Sequence, residues 1–326
     1  MPFPLDLTVP TAWNGPAPRS RIQSHGISPS GNWIGGTCLK LGGTPFVNTS
    51  QEFTYRYSPF APSWYEPQPL GASTSASCRG ISDHGDLVGF RAPDPANPDA
   101  TIAILHEHGG APKDLPFGND LSVAMGVNAS LFSGSFLIVG SHTPSGQQRA
   151  KGFGITYTKL GGFGPEILLG ADIPPHATED VTIQCINLQG DLIATLVNNP
   201  DGAQRQFIGF RVLAPQPGHP LNHGYAWKPL QQPDFPVDPN TATILGLNSH
   251  GDISGFYPNG SKVSGFTVNA KLNGTSLKLS GFFTYDHPLA TASTQFSGIS
   301  EAGWIAGTYD LIHPFVFIPW HLPPKH

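Results

Sequence analysis

The chain has 326 residues, a net charge of −5 at pH 7 and only 12% charged residues. It contains no basic cluster, which disfavours nucleic acid and anionic membranes as partners. No apolar run reaches the about 18 residues of a membrane-spanning helix, and no stretch keeps a helical periodicity, so the sequence favours strands and turns.

The first predicted element is an N-terminal strand in the segment Phe3–Pro10, which reads Phe-Pro-Leu-Asp-Leu-Thr-Val-Pro. The segment lies outside the repeats that follow it. A loose tail is the open alternative.

From residue 26 onward a short phrase recurs six times, in which Gly or Cys and an aliphatic residue precede Ser or Asn, and a second Gly follows in most copies. The copies occupy 26–31, 80–85, 126–134, 185–190, 246–251 and 298–303. Successive copies start 54, 46, 59, 61 and 52 residues apart. This period is typical of propeller blades and too long for a solenoid coil.

Each phrase predicts a tight hairpin between two strands, because Ser, Asn and Asp form side-chain turns and Gly accepts a positive φ. Further apolar stretches follow each hairpin, for example Gly152–Ile155 and Ser276–Leu279. Four strands for each of six copies predict a single all-β domain over residues 1–326. The predicted fold is a six-bladed β-propeller of four-stranded antiparallel blades.

The sixth copy supplies a strand at Phe315–Phe317, after which the chain has no candidate for a fourth. The N-terminal segment is available to fill this place. We therefore expect the N-terminal strand to complete the C-terminal blade and close the ring, which removes an exposed sheet edge.

Glycosylation sequons and cysteines bear on the cellular compartment of the protein. The N-terminus shows no signal peptide, yet sequons occur at Asn48, Asn128, Asn259 and Asn273, so a secreted glycoprotein without its leader is expected, with the cytoplasm as the alternative. Cys38 and Cys78 either pair between the first two blades or, like Cys185, are core thiols.

Common catalytic motifs are absent: there is no Gly-x-Ser-x-Gly elbow, phosphate loop or dinucleotide fingerprint. His106 and His108 form the tightest histidine cluster, but an outer-strand end is favoured over zinc, so no metal or other cofactor is expected. Gly-Asp pairs at Asp86, Asp191 and Asp252 recur at hairpins, which indicates a turn role rather than a catalytic carboxylate pair.

The phrases and the strand after each resemble the repeat of HAF-type propeller proteins, a resemblance that implies architecture and not activity. The chain also resembles the fungal propeller enzymes that promote hetero-Diels–Alder couplings in tropolone–sesquiterpene biosynthesis. That second resemblance depends on size, Gly-rich repeated hairpins and low charge, and it carries over no catalytic residue. It implies a cofactor-free cyclase acting on an apolar small molecule.

Propeller sites usually lie in the central channel, so the strand entering each phrase is the candidate site element. Alternation points every second residue of that strand to the axis. The position before each phrase gives His25, Arg79, Met125, Gln184, Leu245 and Ser297. Two residues earlier stand Gln23, Ser77, Val123, Thr182, Thr243 and Gln295. Four residues earlier stand Arg21, Ser75, Leu121, Asp180, Thr241 and Ser293.

An apolar wall with a few convergent polar groups is typical of a small-molecule site. The predicted catalytic residues are Arg79, His25 and Gln184. The predicted substrate-binding residues are Arg21, Gln23, Leu121, Met125, Asp180, Thr243, Leu245 and Gln295. A glycan-binding propeller, a structural or interaction propeller, and an inert water-filled channel in which Arg79 and Asp180 neutralise each other remain open, as does a homodimer.

Overall fold

A computed structural model describes most of the chain, and the statements below refer to the residues it describes. These are residues 4–7, 19–40, 49–56, 63–65, 75–93, 97, 99–128, 134–171, 173, 179–198, 204–211, 224–230, 235–238 and 240–318. Within these ranges every regular element is a β-strand.

The first three groups of strands follow the N-terminal strand β1 (Pro4–Asp6). They are β2 (Arg19–Ile27), β3 (Trp33–Lys40), β4 (Thr49–Arg56) and β5 (Ser63–Tyr65); β6 (Ser75–Ile81), β7 (Leu87–Ala92), β8 (Ile102–His106) and β9 (Pro112–Asp114); and β10 (Leu121–Val127), β11 (Ser135–Thr143), β12 (Lys151–Thr158) and β13 (Gly162–Leu169).

The remaining strands belong to the C-terminal half. They are β14 (Asp180–Ile186), β15 (Leu192–Asn198), β16 (Gln204–Arg211) and β17 (Tyr225–Pro229); β18 (Thr243–Leu247), β19 (Asp252–Asn259), β20 (Lys262–Asn273) and β21 (Ser276–Tyr285); and β22 (Thr294–Ile299), β23 (Ile305–Tyr309) and β24 (His313–Phe317).

The strands form antiparallel four-stranded sheets, one for each phrase. Five sheets, β2–β5, β6–β9, β10–β13, β14–β17 and β18–β21, each consist of four consecutive strands. The last sheet has only three consecutive strands, β22–β24, and β1 adds the fourth at its outer edge. An all-β propeller, expected from the repeat, is therefore what the chain forms, and we call each sheet a blade.

The N-terminal strand closes the ring as expected. Pro4–Asp6 pair with Phe315–Phe317, and the backbone N–H of Leu7 adds a hydrogen bond of 3.1 Å to the carbonyl oxygen of Pro314. The rest of the predicted segment Phe3–Pro10 lies outside the described residues. Leu7 is only 5% exposed and packs with Ile22, so a buried side chain strengthens the short pairing.

The first glycine of the phrase holds neighbouring blades together at the axis. A Cβ placed on Gly80 would lie 3.1 Å from the Cα of Gly126, and one on Gly298 would lie 3.2 Å from the Cα of Gly26. The innermost strands thus meet backbone to backbone around a ring. The second glycine serves the hairpin turn, as expected from its tolerance of a positive φ; at Gly85, for example, φ is 81°.

The core lies between the faces of adjacent blades. One cluster, for example, joins Val88 and Leu105 of β7 and β8 to Ala124, Ile138 and Phe153 of β10, β11 and β12. All three cysteines are buried thiols, so the alternative of a disulfide between the first two blades is not realised.

Candidate functional site

Every innermost strand carries a β-bulge at the residue immediately before the phrase. In β2 the pairing runs from Ser24 opposite Gly36 directly to Gly26 opposite Gly35, which leaves His25 without a partner in the ladder. The other five innermost strands shift register at the same place, leaving out Arg79, Met125, Gln184, Leu245 and Ser297. A bulge leaves one residue unpaired and turns its side chain. We call these six the bulge residues.

Burial alternates in β10 and β18 in the phase that places their bulge residues toward the axis. In β10, for example, Val123 and Met125 are partly exposed, whereas Ser122 and Ala124 between them are buried. Ser122 and Ala124 pack between blades, so alternation directs Val123 and Met125 toward the axis.

A small cavity lies on the axis at the end where the phrases turn, which we call the phrase face. Its wall includes five of the bulge residues, and its volume is about 50 Å³. Gln184 does not line the cavity; its neighbour Cys185 lines it in place of Gln184. Pockets for drug-sized ligands measure about 300–1,000 Å³, so this cavity holds only a small ion, a few waters or one functional group of a larger molecule.

Arg79 is the cation among the bulge residues. Its Nε atom is buried and makes no hydrogen bond to the described residues, and Cζ lies 5.4 Å from the centre of the Phe90 ring. Burial lowers the pKa of the guanidinium, which nonetheless stays charged at neutral pH. No carboxylate of the described residues lies within ion-pair distance of it.

His25 and Gln184 supply uncharged polar groups. Burial, and secondarily the positive charge of Arg79, lowers the pKa of His25 to about 3. The imidazole is therefore neutral at physiological pH and donates only through its single N–H. Gln184 is 5% exposed, and its Oε1 atom accepts no hydrogen bond from the described residues.

The end of the propeller where the innermost strands begin, which we call the loop face, carries the more exposed candidates. Leu121 is 46% exposed where β10 begins, and Thr243 and Gln295 are partly exposed at the starts of β18 and β22. Gln23 donates from Nε2 to the carbonyl oxygen of Leu311, 2.9 Å away, in the β23–β24 turn. The side chain of Arg21 lies outside the described part of the chain.

Asp180 faces a neighbouring blade rather than the channel. Its Oδ1 accepts a hydrogen bond of 2.8 Å from the N–H of Ala150, and its Oδ2 lies 3.6 Å from Nη1 of Arg149. The open alternative of a pairing with Arg79 across the axis is therefore corrected, whereas the substrate role of Asp180 stays a prediction. The carboxylate instead fixes the β11–β12 loop against β14.

Sequence reasoning missed a belt of hydrogen bonds that joins neighbouring phrases around the phrase face. Glu301, which also lines the cavity, accepts from the N–H and Oγ of Ser249 at 3.1 and 2.8 Å, and its own N–H donates to Pro29 at 2.8 Å. Asp83 accepts from the N–H of Ser30 at 2.7 Å. The sequence held one signal for this belt, namely position, because Pro29, Asp83, Ser249 and Glu301 each directly follow the Ser or Asn of a phrase.

The recurrent aspartates have the expected turn role. Asp86 accepts from the Oγ of Ser82 at 3.0 Å and from the N–H of His108 at 2.9 Å. His106 is 3% exposed with Nε2 3.2 Å from the carbonyl oxygen of Gly110, whereas the His108 ring lies 4.9 Å from that of Trp33. The described residues contain no group of three or more side chains placed to bind a metal ion.

The strand topology defines an all-β propeller with a small cavity on its axis, and no described helix is long and apolar enough to span a membrane. No protein-family model and no curated protein matches the chain, so the HAF-type resemblance stays an expectation.

Three solved propeller-type structures resemble the chain at low identity. An arginine-to-alanine triple mutant of AofleA from Arthrobotrys oligospora is 13% identical, with a TM-score of 0.43 over 92% of this chain and 84% of that one. The β-propeller domain of the Trilobed protease from Pyrococcus furiosus is 11% identical, with a TM-score of 0.43 over 92% and 94%. TolB from Acinetobacter baumannii is 8% identical, with a TM-score of 0.44 over 92% and 54%.

Proposed function

We propose that this propeller binds a largely apolar small molecule along its axis, entering from the loop face, and promotes its cyclisation without a cofactor. The observation that carries the proposal is the buried Nε of Arg79, which makes no hydrogen bond to the described residues. A buried donor without a partner costs free energy that an acceptor group of a ligand recovers.

The geometry favours a ligand whose body lies toward the loop face. The cavity beside Arg79 measures only about 50 Å³, so only one functional group of the ligand reaches it. Partly exposed Val123 and exposed Leu121 offer apolar contact nearer the loop face, with Thr243 and Gln295 as polar neighbours. An apolar wall with a few polar groups is the usual composition of such a site.

The chemistry that suits this site is a hetero-Diels–Alder coupling of an ortho-quinone methide with a terpenoid alkene. One C–O and one C–C bond form while three π bonds become one, and no proton, electron pair or leaving group passes to the protein. Orientation of the two reactants lowers the barrier. A hydrogen bond from Arg79 to the quinone-methide oxygen adds to this, because negative charge develops on that oxygen in the transition state.

The proposal is tested by generating an ortho-quinone methide photochemically in the presence of a sesquiterpene alkene and measuring the rate and enantiomeric excess of the adduct. We expect wild type to give enantioenriched adduct above background. Arg79→Met should lose about 10- to 1,000-fold in rate, as when one preorganised donor is removed. Arg149→Met, which removes a partly exposed arginine outside the channel, should retain the wild-type rate.

Racemic adduct at the background rate with wild-type protein would contradict the proposal. So would equal rates for Arg79→Met and wild type. Selective retention of the protein on a glycan array, together with no turnover, would favour a glycan-binding propeller instead.

A further inference from the structure

We infer that the cavity at the phrase face is a binding site for one small monovalent anion, of the halide class, held by Arg79. The inference goes beyond the proposed function, because it concerns the protein without substrate and is tested by diffraction rather than by turnover. It depends on the charges facing the cavity, its volume and the donors on its wall.

Arg79 is the cation on the cavity wall, and it forms no ion pair with a carboxylate of the described residues. Arg79 lines the cavity, its Nε makes no hydrogen bond to the described residues, and burial lowers its pKa, which shows that its charge is poorly solvated. A charge removed from water without a partner is costly, and a counter-ion reduces that cost. The contact with the Phe90 ring compensates only part of it, since a cation–π contact contributes about 0.5–2 kcal/mol.

The other titratable groups on the wall do not compete for Arg79. His25 is neutral, and burial raises the pKa of Cys185 to about 12, so its thiol is also neutral. Glu301 stands at the rim, where Ser249 donates to its carboxylate from both N–H and Oγ. It forms no ion pair with Arg79 among the described contacts. Its negative charge repels a divalent anion about twice as strongly as a monovalent one.

The volume selects the size of the anion. A cavity of about 50 Å³ is larger than the roughly 10–15 Å³ that one water needs on the same measure, so a halide fits. Sulfate and phosphate carry up to two charges at neutral pH, and the carboxylate of Glu301 repels them more strongly than it repels a halide. The N–H of His25 provides a second donor beside the guanidinium.

The experiment is a crystal of the wild-type protein soaked in sodium bromide, with data collected at the bromine absorption edge. We expect one anomalous peak on the axis beside Arg79 and none there in Arg79→Met, whereas Arg149→Met keeps the peak. In parallel, bromide should raise the melting temperature of wild type relative to gluconate at equal ionic strength, and this difference should disappear in Arg79→Met.

Two results would overturn the inference. One is the absence of an anomalous peak in the axial cavity of wild type. Bromide bound at the surface, as an adventitious ion only, counts as this result. The other is an axial peak that is equally strong in Arg79→Met. The wild-type map decides the matter even if Arg79→Met fails to fold. Adduct formation with no axial bromide would leave the proposed function in place and remove only this inference.

Discussion

A Cβ on Gly246 would lie 2.7 Å from the Cα of Gly298 in the next blade, closer than real Cβ atoms approach backbone. The phrase therefore recurs with glycine because adjacent innermost strands meet at the axis. Cys185 replaces this glycine in β14, and its side chain packs with Ala194 and Leu247 in the core shared with the next blade. The same contacts hold the bulge residues around the channel.

This contact predicts that Gly246→Ala destabilises the protein strongly. The added methyl meets the backbone of Gly298 and Ile299 at 2.7 Å, and backbone cannot move aside as a flexible side chain can. We expect a loss of about 1–3 kcal/mol or more in the free energy of unfolding, measured by denaturant titration. Gly134→Ala is the control, since a Cβ there meets nothing within 4 Å. Equal stabilities of the two variants would contradict the close approach.

Ring closure by β1 gives a second prediction. Removing residues 1–10 deletes the pairing with β24 and the buried Leu7, so the edge of β24 and part of the core become exposed. Leu7→Ala alone should cost about 2–4 kcal/mol, and the deletion more. Thermal unfolding provides the measurement, with Leu160→Ala, at a fully exposed leucine, as the control. A deletion variant that melts within about a degree of the full chain would show that β1 does not close the ring.

The depressed pKa of His25 predicts a specific pH dependence of stability. Its pKa is about 3 in the folded protein and about 6.5 when unfolded, so the unfolded state binds more protons between these values. The stability is therefore fully present above pH 6.5 and is lost as the pH falls toward 3. Because His25 is only partly buried, we expect a contribution of about 1 kcal/mol between pH 7 and pH 5.

The measurement is the free energy of unfolding of wild type and His25→Gln at both pH values. The variant should lose less stability on acidification than wild type. His250→Gln, at an exposed turn histidine, should follow the wild-type profile. Identical profiles for wild type and His25→Gln would mean that the imidazole already takes up a proton in the folded state.

The repeat in the sequence predicted the propeller class, the hairpins and the phase of the innermost strands, because turn residues and alternation are local signals. It could not predict the orientation of Asp180, since its partners Arg149 and Ala150 belong to a loop of the preceding blade. It also could not predict the close approach of the first glycines, because the backbone that each one meets belongs to the next blade. The volume of the cavity could not be predicted either, because it depends on all six bulges at once and no single stretch of sequence encodes it.

The central claim is that a ligand reaches the axis from the loop face, and product formation by Leu121→Arg tests it most directly. Leu121 is 46% exposed at the start of β10, so the substitution should leave the melting temperature nearly unchanged while placing a charge where the apolar ligand passes. Leu160→Arg alters a fully exposed leucine in the β12–β13 turn and is the matched control. We predict that Leu121→Arg abolishes enantioenriched adduct and that Leu160→Arg retains it. Equal adduct formation by both folded variants would contradict binding along the axis.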